Sequence, residues 1–152
     1  MNEALFSSNK HDWETPQWLF DELNAEFNFE LDAAANADNA KCDIYYTEET
    51  DGLTSDWYPY VTWINPPYGI GLYKWVEKAH KESLKGGTVV MLMPARTDTR
   101  YFHDFIWDRQ KHKPRQNVEV RFLKGRIKFV GASNSAPFPS MIVIWNGRKL
   151  ED

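Results

Sequence analysis

The chain has 152 residues, a formal net charge of −4 and 15% aromatic residues, which is the size of one domain with a sizeable core. It shows neither an apolar run of about 18 residues nor a signal-peptide pattern, so we expect a soluble cytoplasmic protein without a membrane span. Cys42 is the single cysteine and the four histidines lack metal-ligand spacing, so an internal disulfide is excluded and we expect no bound metal.

Charge is divided unevenly along the chain. Residues 1 to 80 carry 4 Lys/Arg and 15 Asp/Glu, a formal charge of −11, whereas residues 81 to 152 carry 14 Lys/Arg and 7 Asp/Glu, a formal charge of +7. Basic residues are densest from Arg121 to Phe129, where they alternate with apolar residues. The basic half favours nucleic acid as a partner, and a solvated amphipathic hairpin is the alternative interpretation of that segment.

The first third of the chain predicts a helix followed by a strand. Thr15-Pro16 suits the N-cap and first helical residue, ahead of apolar residues at helical spacing, namely Leu19, Phe20, Leu23 and Phe27. Apolar and polar residues then alternate, which predicts a strand from near Phe27 to Asp32. A short strand at residues 44 to 46 and a turn at Asp51-Gly52 complete this part of the chain.

The next predicted strand, at residues 61 to 64, leads directly into Asn65-Pro66-Pro67-Tyr68. This corner suits methyl transfer to a planar amino nitrogen, which is a poor nucleophile because its lone pair is delocalised into the attached π-system. The Asn65 side-chain oxygen and the Pro66 carbonyl can each accept one N–H, aim the lone pair and stabilise the positive charge that grows during attack. Two prolines hold that carbonyl in place, and Tyr68 offers a π-face. The alternative is a proline turn that merely ends the strand.

The remaining sequence predicts two helices and four strands. The helices are expected at residues 72 to 84, ended by Gly86-Gly87, and after a cap at Thr97 or Asp98. The strands are expected at residues 88 to 93, 118 to 123, 127 to 130 and 141 to 145. Alternating strands and helices followed by a strand-rich end indicate an α/β fold with a mostly parallel sheet and an antiparallel pair at the C-terminal end.

Polar residues follow two of the predicted strands. Ligands of such sheets bind outside the carboxyl ends of the strands, where Asp32 and Asn65 both fall. Asp51 can reach the same edge. We therefore expect a nucleoside cofactor and its substrate to meet there.

Four motifs in order resemble the S-adenosylmethionine-dependent amino-methyltransferases that modify adenine N6 in DNA: Glu14-Thr15-Pro16, Leu31-Asp32-Ala33-Ala34, Asp51-Gly52-Leu53 and Asn65-Pro66-Pro67-Tyr68-Gly69. The stretches Lys124 to Phe129 and Pro137 to Ser140, with the short length, are similar to compact Dam-type enzymes of bacteriophages and prophages. The resemblance covers residues 12 to 146. It implies one Rossmann-like methyltransferase domain over residues 1 to 152, with residues 1 to 11 flexible and no separate target-recognition domain, acting in a bacterial host cell.

The resemblance also implies a cofactor site. S-adenosylmethionine is expected to meet Thr15 and Pro16 at its methionine end, Asp32 at its amino-acid or sugar portion and Asp51 at its adenine amino group, with Ala33, Ala34, Leu53 and Asn65 completing the site. Relatives carry a Gly-rich turn where this chain has alanines at positions 33 to 35, so we expect either modest affinity or a different backbone path. The acid that holds the ribose stays unassigned, with Glu48 and Glu49 as candidates.

DNA contacts follow from the same resemblance. Adenine N6 is buried in a duplex, so the base has to be extruded into the pocket, where we expect it to stack on Tyr68 and on Phe129, with Phe138 as the competing second ring. The predicted phosphate contacts are Arg96, Arg100, Lys124, Arg126 and Lys128. Base readout is assigned to loops at residues 108 to 117 and 131 to 139.

We therefore predict an adenine-specific DNA methyltransferase that acts on double-stranded DNA, with Asn65, Pro66, Pro67 and Tyr68 as its catalytic corner. Two alternatives stay open. The same corner serves methylation of RNA guanine or protein glutamine, and the altered glycine turn is compatible with an inactive relative that only binds nucleic acid.

Overall fold

The computed structural model describes residues 13–147, so the predicted flexible segment at residues 1 to 11 lies outside the described residues. The helices are α1 (Gln17–Phe27), α2 (Leu72–Leu84) and α3 (Arg100–Phe105). The strands are β1 (Leu31–Asp32), β2 (Ile44–Tyr45), β3 (Thr62–Ile64), β4 (Val89–Pro94), β5 (Trp107–Asp108), β6 (Lys113–Pro114), β7 (Val118–Phe122) and β8 (Ser140–Trp145).

Six of these strands form one sheet in the order β2-β1-β3-β4-β8-β7. The first four run parallel, and β8 pairs antiparallel with both β4 and β7. The predicted α/β fold, mostly parallel with an antiparallel pair at the C-terminal end, is confirmed. Strands β5 and β6 form a separate antiparallel ribbon inside a segment predicted as a loop. Within residues 13–147 every helix is too short or too polar to cross a membrane.

The sheet carries a hydrophobic core on each face. Along β4, Val89, Met91 and Met93 face one core with α2 and α3, while Val90 and Leu92 face the other with α1. This alternation is the two-residue period of a strand. The second core also takes in four residues that follow β7, namely Ile127, Phe129, Ala136 and Phe138.

Helix α1 differs from its prediction at both ends. Pro16 rather than Thr15 occupies the N-cap position, because the Thr15 hydroxyl accepts a hydrogen bond from Asn65 Nδ2 instead of capping the helix. Asn28, in the left-handed region at φ 54°, ends the helix. Phe27 is therefore helical, and β1 begins only at Leu31. Helix α3 likewise has its cap at Thr99, not at residue 97 or 98.

The predicted strand at residues 127 to 130 is wrong. The segment pairs with neither edge of the sheet and packs on one of its faces, in the second core with α1. Gly125, at φ 73°, turns the chain instead. Ile127 and Phe129 nevertheless point into the second core, while Lys124, Arg126 and Lys128 are exposed. The alternation of basic and apolar residues in this sequence therefore reflects the burial of every second side chain along a segment that is not a strand.

Candidate functional site

A cavity of about 900 Å³ lies where β1, β2 and β3 end. Its wall is formed by residues 13–15, by the turns that follow β1 and β2, by Asn65 and Pro67 after β3, and by Trp75 and Val130. Parallel strands end at the same edge of a sheet, which is why segments distant in sequence converge here.

Most of the predicted cofactor residues line this cavity. Those on the wall are Thr15, Asp32, Ala33, Ala34, Asp51 and Asn65, together with the ribose candidates Glu48 and Glu49. Pro16 and Leu53 are not among the lining residues. Of the catalytic corner, Asn65 and Pro67 reach the cavity, whereas Pro66 and Tyr68 are buried beside it.

Asn65 presents one unsatisfied atom. Its Nδ2 donates to Thr15 Oγ1 at 2.9 Å and also to the Trp13 carbonyl. A carbonyl can only accept, so these contacts fix which end of the amide faces Trp13. The buried Oδ1 has no hydrogen-bond partner among residues 13–147, and an unpaired buried acceptor costs about 1–3 kcal/mol. The corner therefore holds an acceptor suited to an N–H donor from a bound molecule.

The predicted stacking rings form one aromatic cluster. Tyr68 is buried, its hydroxyl lies 3.4 Å from the Leu92 carbonyl, and burial raises the pKa of Tyr68 well above its ordinary value. Phe129 and Phe138 contact Tyr68 edge-on, with ring centres 6.5 and 5.8 Å away. Trp13 packs 5.3 Å from both phenylalanine rings and lines the cavity. Trp13, which the sequence reasoning missed, is thus the ring of this cluster on the cavity wall.

Asp32 organises the turn after β1. Its Oδ1 accepts the Ala34 N–H at 3.3 Å and its Oδ2 accepts the Lys41 N–H at 3.0 Å. Positions 33 to 35 are not among the described residues with positive φ, so alanine fits this turn and a Gly-rich sequence is not required there. Burial raises the pKa of Asp32 from 3.8 to about 6, against the opposing effect of the Lys41 and Ala34 hydrogen bonds. At neutral pH the carboxylate gives this end of the cavity a negative charge.

The turn at Asp51-Gly52 touches the turn after β1. Asp51 adopts φ 55°, and its Oδ1 accepts the Leu53 N–H at 3.0 Å. A Cβ added to Gly52 would lie 2.2 Å from the Ala33 carbonyl oxygen. Glycine is therefore required for the two turns to meet on the cavity wall.

Behind the cavity, Glu82 and Trp57 support the Gly52 turn. Trp57 Nε1 donates to the Gly52 carbonyl at 2.8 Å, and its ring stacks at 6.5 Å on Trp75 of the cavity wall. Glu82 Oε1 accepts the backbone N–H groups of Trp57 at 2.9 Å and of Tyr58 at 2.8 Å.

Glu82 is a buried carboxylate with four donors. Its Oε2 accepts from Lys78 at 3.0 Å and from Lys85 at 2.8 Å. Burial raises the pKa of Glu82, but hydrogen bonds from Lys85, Tyr58, Lys78 and Trp57 prevail and hold it at about 2, below 4.5. Sequence reasoning missed this residue. The available signal was an acid continuing the apolar stripe of α2, three residues after Ala79.

The predicted phosphate contacts fall into two groups. Arg96 and Arg100 follow β4, with Arg96 Cζ 5.7 Å from the centre of the Phe138 ring and Arg100 Cζ 4.7 Å from that of Tyr73. Lys124, Arg126 and Lys128 are exposed on the segment after β7. Within residues 13–147, none of these five cations pairs with a carboxylate.

A family profile and two individual proteins that match this chain carry the same description. The sequence profile of the family DNA N-6-adenine-methyltransferase (Dam) matches residues 3–151. A DNA N-6-adenine-methyltransferase of Haemophilus phage HP1 is 36% identical over 97 residues, which cover 62% of this chain and 56% of that protein. One of Escherichia phage T1 is 33% identical over 92 residues, which cover 59% of this chain and 38% of that protein. The matched stretch therefore spans about half, or less, of these relatives.

Proposed function

The chain belongs to the DNA N-6-adenine-methyltransferase (Dam) family, and from this membership we propose that it transfers a methyl group from S-adenosylmethionine to the N6 amino group of adenine in double-stranded DNA. The unpaired Asn65 Oδ1 is the observation that carries the proposal. An adenine amino group has two N–H donors. It therefore complements a corner that offers Asn65 Oδ1 and the Pro66 carbonyl as acceptors.

The corner acts on the nucleophile. S-adenosylmethionine supplies a methyl group on a positively charged sulfur. Asn65 and Pro66 draw N6 out of conjugation and stabilise its growing positive charge while the N–C bond forms and the C–S bond breaks. N6 then releases one proton to solvent. Because Oδ1 is buried, an entering base has to displace the groups that cover it.

The volume and the charge of the cavity support S-adenosylmethionine as the cofactor. Its size of about 900 Å³ lies within the usual range for small-molecule sites, about 300–1,000 Å³. The Asp32 carboxylate is suited to the cofactor ammonium group, and Asp51 is suited to accept from its adenine amino group. Glu48 and Glu49, also on the wall, are the candidates for the ribose hydroxyls.

Basic residues favour DNA as the macromolecular substrate. Arg96 contacts Phe138, which packs against Tyr68 of the catalytic corner. Arg100 contacts Tyr73 in the first turn of α2. The exposed cations after β7 add a second group of predicted phosphate ligands. Reaching N6 in a duplex requires extrusion of the adenine. The ribbon β5–β6 and residues 131 to 139 are the segments to which we assign base readout.

The direct test is incubation with unmethylated DNA and labelled S-adenosylmethionine, followed by nucleoside analysis. We expect label in N6-methyladenine. Label in RNA guanine or protein glutamine under matched conditions, with none in DNA, would contradict the proposal. Failure to bind S-adenosylmethionine in calorimetry would indicate an inactive nucleic-acid-binding relative.

Asn65→Ala tests the chemistry of the corner. Loss of one preorganised acceptor is expected to lower turnover by roughly two to three decades, or about 3–4 kcal/mol. A smaller loss of cofactor affinity is also expected, because Nδ2 holds Thr15 on the cavity wall. Asn146→Ala is the matched control, since that asparagine follows β8 and its side chain makes only a 3.5 Å contact, with the Asn117 carbonyl. Near-normal turnover of Asn65→Ala in a folded protein would refute the assigned chemistry.

A further inference from the structure

Ile70 projects fully into solvent beside the catalytic corner. Its relative exposure is 102%, the highest of the exposed large hydrophobic residues in the described part of the chain. A single exposed apolar side chain is common on protein surfaces and means little by itself. Its position, two residues after Tyr68 and two before the buried Leu72, is what gives it significance.

The loop that carries Ile70 is held at both ends. Tyr68 is 5% exposed and Leu72 is 3% exposed, so each anchors one end in a core. The Leu72 N–H donates to the Gly69 carbonyl at 3.1 Å, and Gly69 adopts φ 113°, a conformation that side chains disfavour. The isoleucine is therefore presented outward from a short, anchored turn.

Two arginines are linked to the ends of this loop through aromatic rings. Arg96 lies 5.7 Å from the Phe138 ring, which in turn packs 5.8 Å from Tyr68 before the loop. Arg100 lies 4.7 Å from the ring of Tyr73, which follows the loop in the first turn of α2. The guanidinium group of arginine commonly binds the backbone phosphates of DNA. The exposed isoleucine thus lies on a loop whose two ends are linked to predicted phosphate contacts.

We propose that Ile70 is a DNA wedge, inserting into the base stack at the position that the target adenine vacates. The inference rests on the proposed function, because extrusion of a base leaves a gap between the neighbouring base pairs. Apolar side chains, isoleucine among them, fill such gaps and offset the loss of stacking. Ile70 is five positions after Asn65, so their Cα atoms lie within about 17 Å of each other and both can act on one DNA site.

The test compares Ile70→Ala and Ile70→Leu with the wild type. The substrate is an unmethylated duplex carrying the sequence that the wild type modifies, with its target adenine either paired or placed opposite a mismatched base. On the paired duplex, Ile70→Ala should lower kcat/KM by roughly tenfold or more, since burial of most of the side chain is lost. Ile70→Leu should retain most of the activity.

The mismatched duplex distinguishes a wedge, which assists base extrusion, from a DNA contact that has no part in extrusion. A mismatch weakens the pairing that extrusion must overcome, so the defect of Ile70→Ala should shrink there, while S-adenosylmethionine affinity and thermal stability stay unchanged. Ile44→Ala, at an exposed isoleucine on edge strand β2, is the control. Equal activity of Ile70→Ala and wild type, or an equal defect on both duplexes, would overturn the wedge. Absence of methyl transfer by the wild type would instead overturn the proposed function.

Discussion

Substitution of Glu82 by glutamine probes the support behind the cavity. A glutamine oxygen can still accept the Trp57 and Tyr58 backbone N–H groups, but its amide nitrogen then faces Lys78 and Lys85, which contact Oε2 at 3.0 and 2.8 Å. The two charge-assisted hydrogen bonds from Lys78 and Lys85 are lost, and the glutamine N–H groups then face two ammonium groups that can also only donate. A pKa lowered from 4.5 to about 2 corresponds to roughly 3 kcal/mol of stability at neutral pH. We expect Glu82→Gln to lose about 2–3 kcal/mol.

The pH dependence of this loss has a definite sign. A carboxyl group whose pKa is lowered by folding stabilises the protein above its unfolded pKa, and that contribution is lost as the pH falls. The gap between wild type and Glu82→Gln should therefore be full above pH 4.5 and close as the pH falls towards 2. Urea denaturation at pH 7 and pH 3 measures it.

A surface pair on the same helix provides the control. Glu77 lies 3.7 Å from Lys81, and both side chains are exposed. Glu77→Gln should change the free energy of unfolding by less than about 0.5 kcal/mol. Since Trp57 holds the Gly52 carbonyl, Glu82→Gln should also weaken S-adenosylmethionine binding more than the control does. A loss equal to that of Glu77→Gln, or a gap independent of pH, would refute the assigned role of Glu82.

Three further outcomes are expected. Asp51→Ala should weaken S-adenosylmethionine binding by roughly 1–3 kcal/mol in calorimetry, and unchanged affinity would remove Asp51 from the site. Because burial raises the pKa of Asp32 to about 6, cofactor affinity should fall as the pH drops from neutral through 6, and Asp32→Asn should flatten that profile; a profile shared by both proteins would contradict it. Neutralising Lys124, Arg126 and Lys128 should reduce the slope of log K for DNA against log salt by about 0.9 per lost contact, whereas an unchanged slope would place the DNA elsewhere.

Helices were predicted well from the sequence where apolar residues at helical spacing were followed by residues that end a helix. Helix α2 matches its predicted bounds, because apolar residues recur at helical spacing and Gly86-Gly87 ends the pattern. The prediction at residues 127 to 130 failed, because alternating burial also arises in an irregular segment that packs on the face of a sheet without pairing.

Convergence on the cavity was predictable, whereas its supporting contacts were not. The carboxyl ends of parallel strands lie at the same edge of a sheet, and this does not depend on which side chains the strands carry. Asp32 and Asn65 could therefore be placed on one edge from the strand pattern alone. The bond from Asn65 to Thr15 spans 50 residues, and that from Glu82 to Trp57 spans 25. No local pattern encodes such pairs, because they depend on how helices pack on the finished sheet.

The position of β8 between β4 and β7 sets an order of assembly during synthesis. Strands β4 and β7 are neighbours only through β8, which is the last strand of the described chain to leave the ribosome. Until Ser140–Trp145 emerges, one edge of β4 presents unpaired backbone groups beside side chains that end up buried. Strands β1 to β4 can pair first, but β7 can join the sheet only once β8 has paired with β4. A nascent chain stalled before Ser140 would therefore expose an unpaired strand edge that is prone to aggregation, the kind of surface that chaperones protect.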